Sequence, residues 1–208
     1  MVKLYTDREV IEMGKHVLPL IVKAMKDGFD WHLSEMDGDM FRVKRITTRR
    51  NEIHDYQREK CREYLKGVQG VHCYEKGGVF FVGLEGKVTF RLKKVDSKLK
   101  SANIITQQSL SLNCQQTLPV DLFGNTIQKP TLVEVGYLTN NTASKFQAIY
   151  LICKDTEGEI WWHENITGLA AETETTTEVR KPEKQRFRIK PIIKLNPGDE
   201  NANKAQGQ

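Results

Sequence analysis

The chain has 208 residues, 38% of them hydrophobic, with eight Phe, six Tyr and three Trp, and a formal net charge of +5. That length supports one full core with an appendage and excludes two large domains, and the apolar content excludes wholesale disorder. No apolar run approaches the ~20 residues that cross a bilayer, since the longest, residues 17–22, is broken by Pro19, so no membrane association is expected.

The first ten residues, MVKLYTDREV, are charged and lack the apolar stretch and cleavage site of a secretory signal, so a cytoplasmic location is expected. Thr6 and Glu9 have capping-box spacing, and Val10, Val17, Ile21, Ala24 and Met25 recur at helical intervals. A helix over residues 7–27 follows, kinked or split at Pro19 and stopped by Gly28. Asp37-Gly38 supplies the positive φ angles of a hairpin turn, so residues 29–36 and 40–46 are expected to pair as strands. Residues 48–66 contain neither Gly nor Pro and set Ile53, Tyr56, Cys61, Tyr64 and Leu65 near one side, which predicts a second long helix with Arg49, Arg50, Arg58 and Arg62 on its other side.

From Val71 the pattern becomes β. VHCYE, VFFVGL and KVTFRLKKV are separated by Lys76-Gly77-Gly78 and Glu85-Gly86 turns and read as a three-stranded meander. Residues 101–130 give weak signals, with SLSLNC alternating and Pro119, Gly124 and Pro130 punctuating loops. LVEVGYL and FQAIYLICK form a strand pair across Asn140-Asn141, and EIWWHENI follows a Glu157-Gly158 turn. The fold class expected is α+β, two long helices packed on a mainly antiparallel sheet over residues 1–168. Residues 169–181 are read as an acidic, Thr-rich linker or edge, residues 182–195 as a basic strand returning to the domain, and residues 196–208 as a disordered tail.

The four cysteines, Cys61, Cys73, Cys114 and Cys153, form no C-x-x-C pair and are read as reduced, mostly buried thiols. A metal site assembled from Cys61, His72 and Cys73 has no spacing signature, and no dinucleotide, Walker or hydrolase fingerprint occurs, so neither metal nor cofactor is expected.

Charge is segregated along the chain. Residues 41–66 hold nine Lys/Arg against four Asp/Glu, residues 87–100 six against one, and residues 180–194 seven against one, whereas residues 101–179 hold three Lys against nine acids. Each basic block contains a Phe-Arg-aliphatic-Lys string: FRVKR from Phe41, FRLKK from Phe90 and FRIKP from Phe187. On strands, alternation would anchor each Phe and aliphatic residue in the core and turn Arg42, Lys44, Lys87, Arg91, Lys93, Arg188 and Lys190 outward. If these strands share a face, their cations make one electropositive surface, joined by Arg49 and Arg50, that attracts phosphate backbones. Trp161 is a candidate stacking residue on its rim.

The reading that follows is a nucleic-acid or polyanion-binding or regulatory module with a basic sheet face. Two alternatives stay open: a protein-interaction domain without catalysis, and a metal-dependent nuclease or RNA- or DNA-directed toxin. For the last, Glu85-x-Lys87 resembles part of the acid-x-Lys element of restriction-type nucleases, in which a carboxylate holds a metal and Lys steadies the attacking water or phosphate. The same Glu85-Gly86 also reads as a plain turn.

Overall fold

The computed structural model describes residues 4–36, 38–101, 106–115 and 130–172. Thr6 caps the first helix, α1 (Asp7–Met13): its hydroxyl accepts from Glu9 N, and the Glu9 side chain accepts from Thr6 N. α1 ends at a Gly14 cap, so the interruption falls there and not at Pro19, which lies in the first turn of α2 (Leu18–Glu35), where its missing N–H leaves no unmade hydrogen bond.

The helix does not end at Gly28 as its composition suggests. A Cβ at Gly28 would lie 2.7 Å from both N and Cα of Gln57 on α4 (Ile46–Leu65), so this glycine allows the two long helices to touch backbone to backbone. The Gln57 side chain closes the contact by donating to Met25 O at 3.1 Å. Gly28→Ala is therefore expected to cost about 1–3 kcal/mol from overpacking, read as a lower urea midpoint. Gly38→Ala, where a Cβ meets nothing within 4 Å, is the control expected to leave the midpoint in place.

The hairpin expected around Asp37-Gly38 is not formed. Residues 29–35 continue α2, and the return segment is a short helix, α3 (Gly38–Val43). The Asp-Gly signal is local, whereas Phe29 and His32 continue the buried stripe of α2 and tie residues 29–35 to the helix layer. The first Phe-Arg-aliphatic-Lys string therefore lies on a helix and the turn after it.

The sheet has six strands in sequence order: β1 (Val71–Lys76), β2 (Val79–Leu84), β3 (Val88–Lys94), β4 (Thr131–Thr139), β5 (Phe146–Lys154) and β6 (Ile160–Asn165). All neighbours are antiparallel except β3 and β4, which run parallel. A parallel pair needs a crossover, and the segment between them contains α5 (Gln107–Asn113), a helix in a stretch whose sequence signals are weak. Thr106 caps it, and Leu112 packs on Phe81 and Leu132.

The α+β class is thus present. One sheet face, carrying Val82, Phe90, Val135 and Leu151, meets Ile21, Met25 and Ile53 of the helices in the main core. The other holds the smaller cluster under α5. The expected linker at 169–181 begins within a 3-10 helix, Thr167–Glu172. The basic strand at 182–195 and the tail at 196–208 lie outside the described residues. Among the described residues no helix is long and apolar enough to cross a membrane.

Candidate polyanion-binding groove

Where β3 ends, it runs into a groove of about 1090 Å³. The amino-terminal half of α4 lines one side with Arg50, Asn51 and His54. The end of β3 and the loop beyond it bring Lys93, Lys94, Asp96 and Lys100, and the β4–β5 connection brings Asn140 and Asn141. Both loops are held by short side chains that accept hydrogen bonds from their own backbone. Asp96 Oδ1 accepts from Lys98 N and Lys100 N, each at 2.9 Å. Asn140 Oδ1 accepts from Ser144 N at 2.8 Å and Lys145 N at 3.1 Å.

Among the described residues the lining holds four cations, Arg50, Lys93, Lys94 and Lys100, and one carboxylate. That carboxylate, Asp96, sits below its usual range because the backbone N–H of Lys100, then that of Lys98, stabilise its charge. Burial pulls Lys94 below the ordinary lysine range, and Arg50 adds to the effect. Burial, then the Arg91 charge, brings Lys93 down to about 8. At neutral pH Lys93 is still mostly protonated. His54 is lowered to about 4, chiefly by burial and then by Arg58, and stands neutral in the wall. The Nη2 of Arg50 donates to Asn141 O at 3.5 Å, while its Nε is buried without a hydrogen bond. Leu99, between Lys98 and Lys100, is held at φ +59°, a left-handed conformation uncommon for a leucine.

Of the residues singled out from sequence, the groove unites Arg50 and Lys93. Arg49 is buried in α4. Lys44 bonds Glu52 Oε1 at 2.6 Å beside the buried His32. Arg42 falls on α3, and Arg188 and Lys190 lie outside the described residues.

Arg91 does not face solvent. β3 is a central strand, and the face opposite Phe90 carries α5, so the alternation that buries Phe90 also buries Arg91 on the other side. Its Nη1 stands 3.8 Å from Glu134 Oε1, and Lys154 Nζ stands 3.0 Å from Glu134 Oε2.

Glu85 and Lys87 pair at 2.9 Å across the β2–β3 turn, where Glu85 and Gly86 both take positive φ. This turn is at the opposite end of β3 from the groove, about 20 Å away at ~3.3 Å per residue. Among the described residues no group of three His, Cys, Asp or Glu could hold a metal ion.

EIWWHENI divides its tryptophans by parity. Trp162 packs on the main core and donates to Tyr5 O at 3.1 Å, while Trp161 is 46% exposed. The register sets Trp162 across from Cys153 and Cys153 across from Val133. Trp161 thus lies toward the opposite end of the strands from Thr139 and Asn140.

Sequence reasoning missed Lys94, Lys100, His54, Asn140 and Asn141. Lys94 has the strand parity of the buried Phe90 and Leu92. At the strand end, however, the inward face opens beside α4 instead of closing on the core. The available signal was the whole basic block 87–100, not the alternation inside it. Comparison of the chain with protein-family models, curated proteins and solved structures finds no match.

Proposed function

We propose that this chain binds polyanions, with nucleic acid as the principal ligand, and that the groove at the end of β3 is the binding site. The observation that supports this most directly is the convergence of Arg50, Lys93, Lys94 and Lys100 on one concave surface whose single carboxylate is already engaged by its own loop. Like charges gathered in a cleft repel one another, which costs stability unless an anion offsets them, and a cleft of one sign focuses the field toward such a ligand. The left-handed Leu99 agrees with this, because strained backbone concentrates at working loops. The basic surface is then a groove between helix and strand end, in place of an open sheet face.

Each phosphate contact releases counterions, so if all four cations engage, log K should fall against log salt with a slope of about −3 to −4. The joint substitution Lys94→Gln with Lys100→Gln should flatten that slope by about one unit per lost contact. The Asp96 bonds to the loop are backbone bonds and survive it. Titration of a labelled oligonucleotide at several salt concentrations gives the slope. An unchanged slope in the double variant would remove the groove as the site. As a control away from the groove, Lys87→Gln should leave both slope and affinity as they are.

A further inference from the structure

The lining of the groove is as informative for what it omits as for its charge. Among the described residues its lining holds one Phe, Tyr or Trp side chain, Tyr137, which is 1% exposed and belongs to the core, beside the His54 imidazole. The exposed tryptophans are elsewhere. Trp161 lies on β6 toward the other end of the sheet, and Trp31, 37% exposed on α2, packs against Tyr56 at 4.6 Å with the rings tilted by 45°, beneath the Lys60 ammonium. Non-specific binders of single strands combine a basic groove with aromatic platforms, and each stacked base contributes about 1–3 kcal/mol. Among the described residues the groove has the basic half of that arrangement and no exposed Phe, Tyr or Trp platform.

Its uncharged polar lining consists of amides and hydroxyls, including Asn51, Asn140, Asn141, Gln147 and Thr139. Besides Arg and Lys, these side chain types make most side-chain contacts to phosphate and sugar oxygens. Arg50 stands among them with one long bond, to Asn141 O, and a buried Nε that has no partner. A guanidinium presents its donors as a rigid fork that matches two oxygens of one phosphate, which an ammonium cannot do.

We infer that the groove takes the sugar-phosphate backbone of a double helix, one strand seated between α4 and the end of β3 with its bases still paired outside, and that Arg50 is the fork that grips a phosphate there. This rests on the polyanion reading of the groove and narrows it to one ligand class. A duplex presents twice the phosphate density of a single strand, one charge per ~1.7 Å of axis, and it asks for no stacking surface.

The test compares four probes on the full chain by fluorescence anisotropy at fixed salt. They are a DNA duplex of about two helical turns, an RNA duplex of the same length, one single strand of the same sequence, and heparin. Tighter binding of a duplex than of the single strand, by about tenfold or more, is expected with wild type. Preference for one duplex over the other also supports the inference and identifies the sugar. Arg50→Lys should lose most of the duplex affinity that Arg50→Gln loses, because the charge is kept and the fork is not. Circular dichroism checks that both variants fold.

Single strands bound as tightly as duplexes, or Arg50→Lys behaving as wild type, would overturn the inference. Heparin and single strands bound in a way that depends on Lys94 and Lys100 would then leave the polyanion reading standing. Absence of binding to all four probes removes both.

Discussion

Glu134→Ala is expected to destabilise the protein by about 3–5 kcal/mol, the range for removing one partner of a buried ion pair. The Glu134 side chain is 4% exposed and lies between Arg91, 5% exposed, and Lys154, 11% exposed. Among the described residues it is the carboxylate paired with both cations. Neither Nε nor Nη1 of Arg91 makes a hydrogen bond, so the attraction of Glu134 is what chiefly offsets the cost of holding that guanidinium away from water. Burial already lowers the Arg91 pKa, and Glu134 opposes that shift. Without the carboxylate, two cations would face each other on the second sheet face.

The same argument gives a rescue. Removing the charges together, as Arg91→Met with Glu134→Leu, should recover much of the loss, because neutral groups of similar volume replace the buried guanidinium and its carboxylate and leave Lys154 as the one charge of the three. Lys154 keeps a contact to Asn113 Oδ1 at 3.4 Å and is the most exposed of the three. Urea unfolding at pH 7 measures all variants. A loss below about 1 kcal/mol in Glu134→Ala would mean that water reaches the cluster and that the ion pair behaves as a surface one.

The helix at 48–66, the start of the first helix, the meander and the strand pair across Asn140-Asn141 were legible because their signals are local and agree with their surroundings. Thr6 and Glu9 cap, Glu85-Gly86 turns, and periodicity separates helix from strand. The hairpin expected at Asp37-Gly38 is not formed, and the weak alternation in SLSLNC falls on a helix, for the same reason. Two or three residues carried those signals, and tertiary packing overrode them, through the buried Phe29 and His32 in one case and through Leu112 against Phe81 and Leu132 in the other.

The candidate site was only half legible. Charge segregation pointed to blocks 41–66 and 87–100, and the groove draws Arg50 and Lys93 from them. Alternation then placed Arg91 outward, which presumes a sheet with one wet face. The parallel β3–β4 pairing requires a crossover, and its α5 lies on that second face, a consequence of topology that no local pattern announces.

Between pH 7 and pH 4 the wild type is expected to lose about 3 kcal/mol of stability more than a His54→Gln variant. Burial holds the His54 imidazole neutral down to about 4, with Arg58 adding to the effect, against 6.5 for an unperturbed histidine. Between those values the unfolded chain takes up a proton that the folded chain refuses. Stability therefore falls with pH from about 6.5 and stops falling, for this group, once the folded imidazole titrates near 4. His32, buried and lowered in the same direction chiefly by burial, adds to the acid sensitivity of both proteins. Carboxylate titration is likewise common to both, so the difference between the two pH profiles isolates His54. A difference that stays constant within about 1 kcal/mol across this range would show that water solvates the imidazole in the folded protein. The same residue links stability to the groove it lines. An anion seated beside Arg50 and Lys94 stabilises the protonated imidazole and raises its folded pKa, so heparin should narrow the gap between the two profiles by slowing the wild-type loss below pH 6.5.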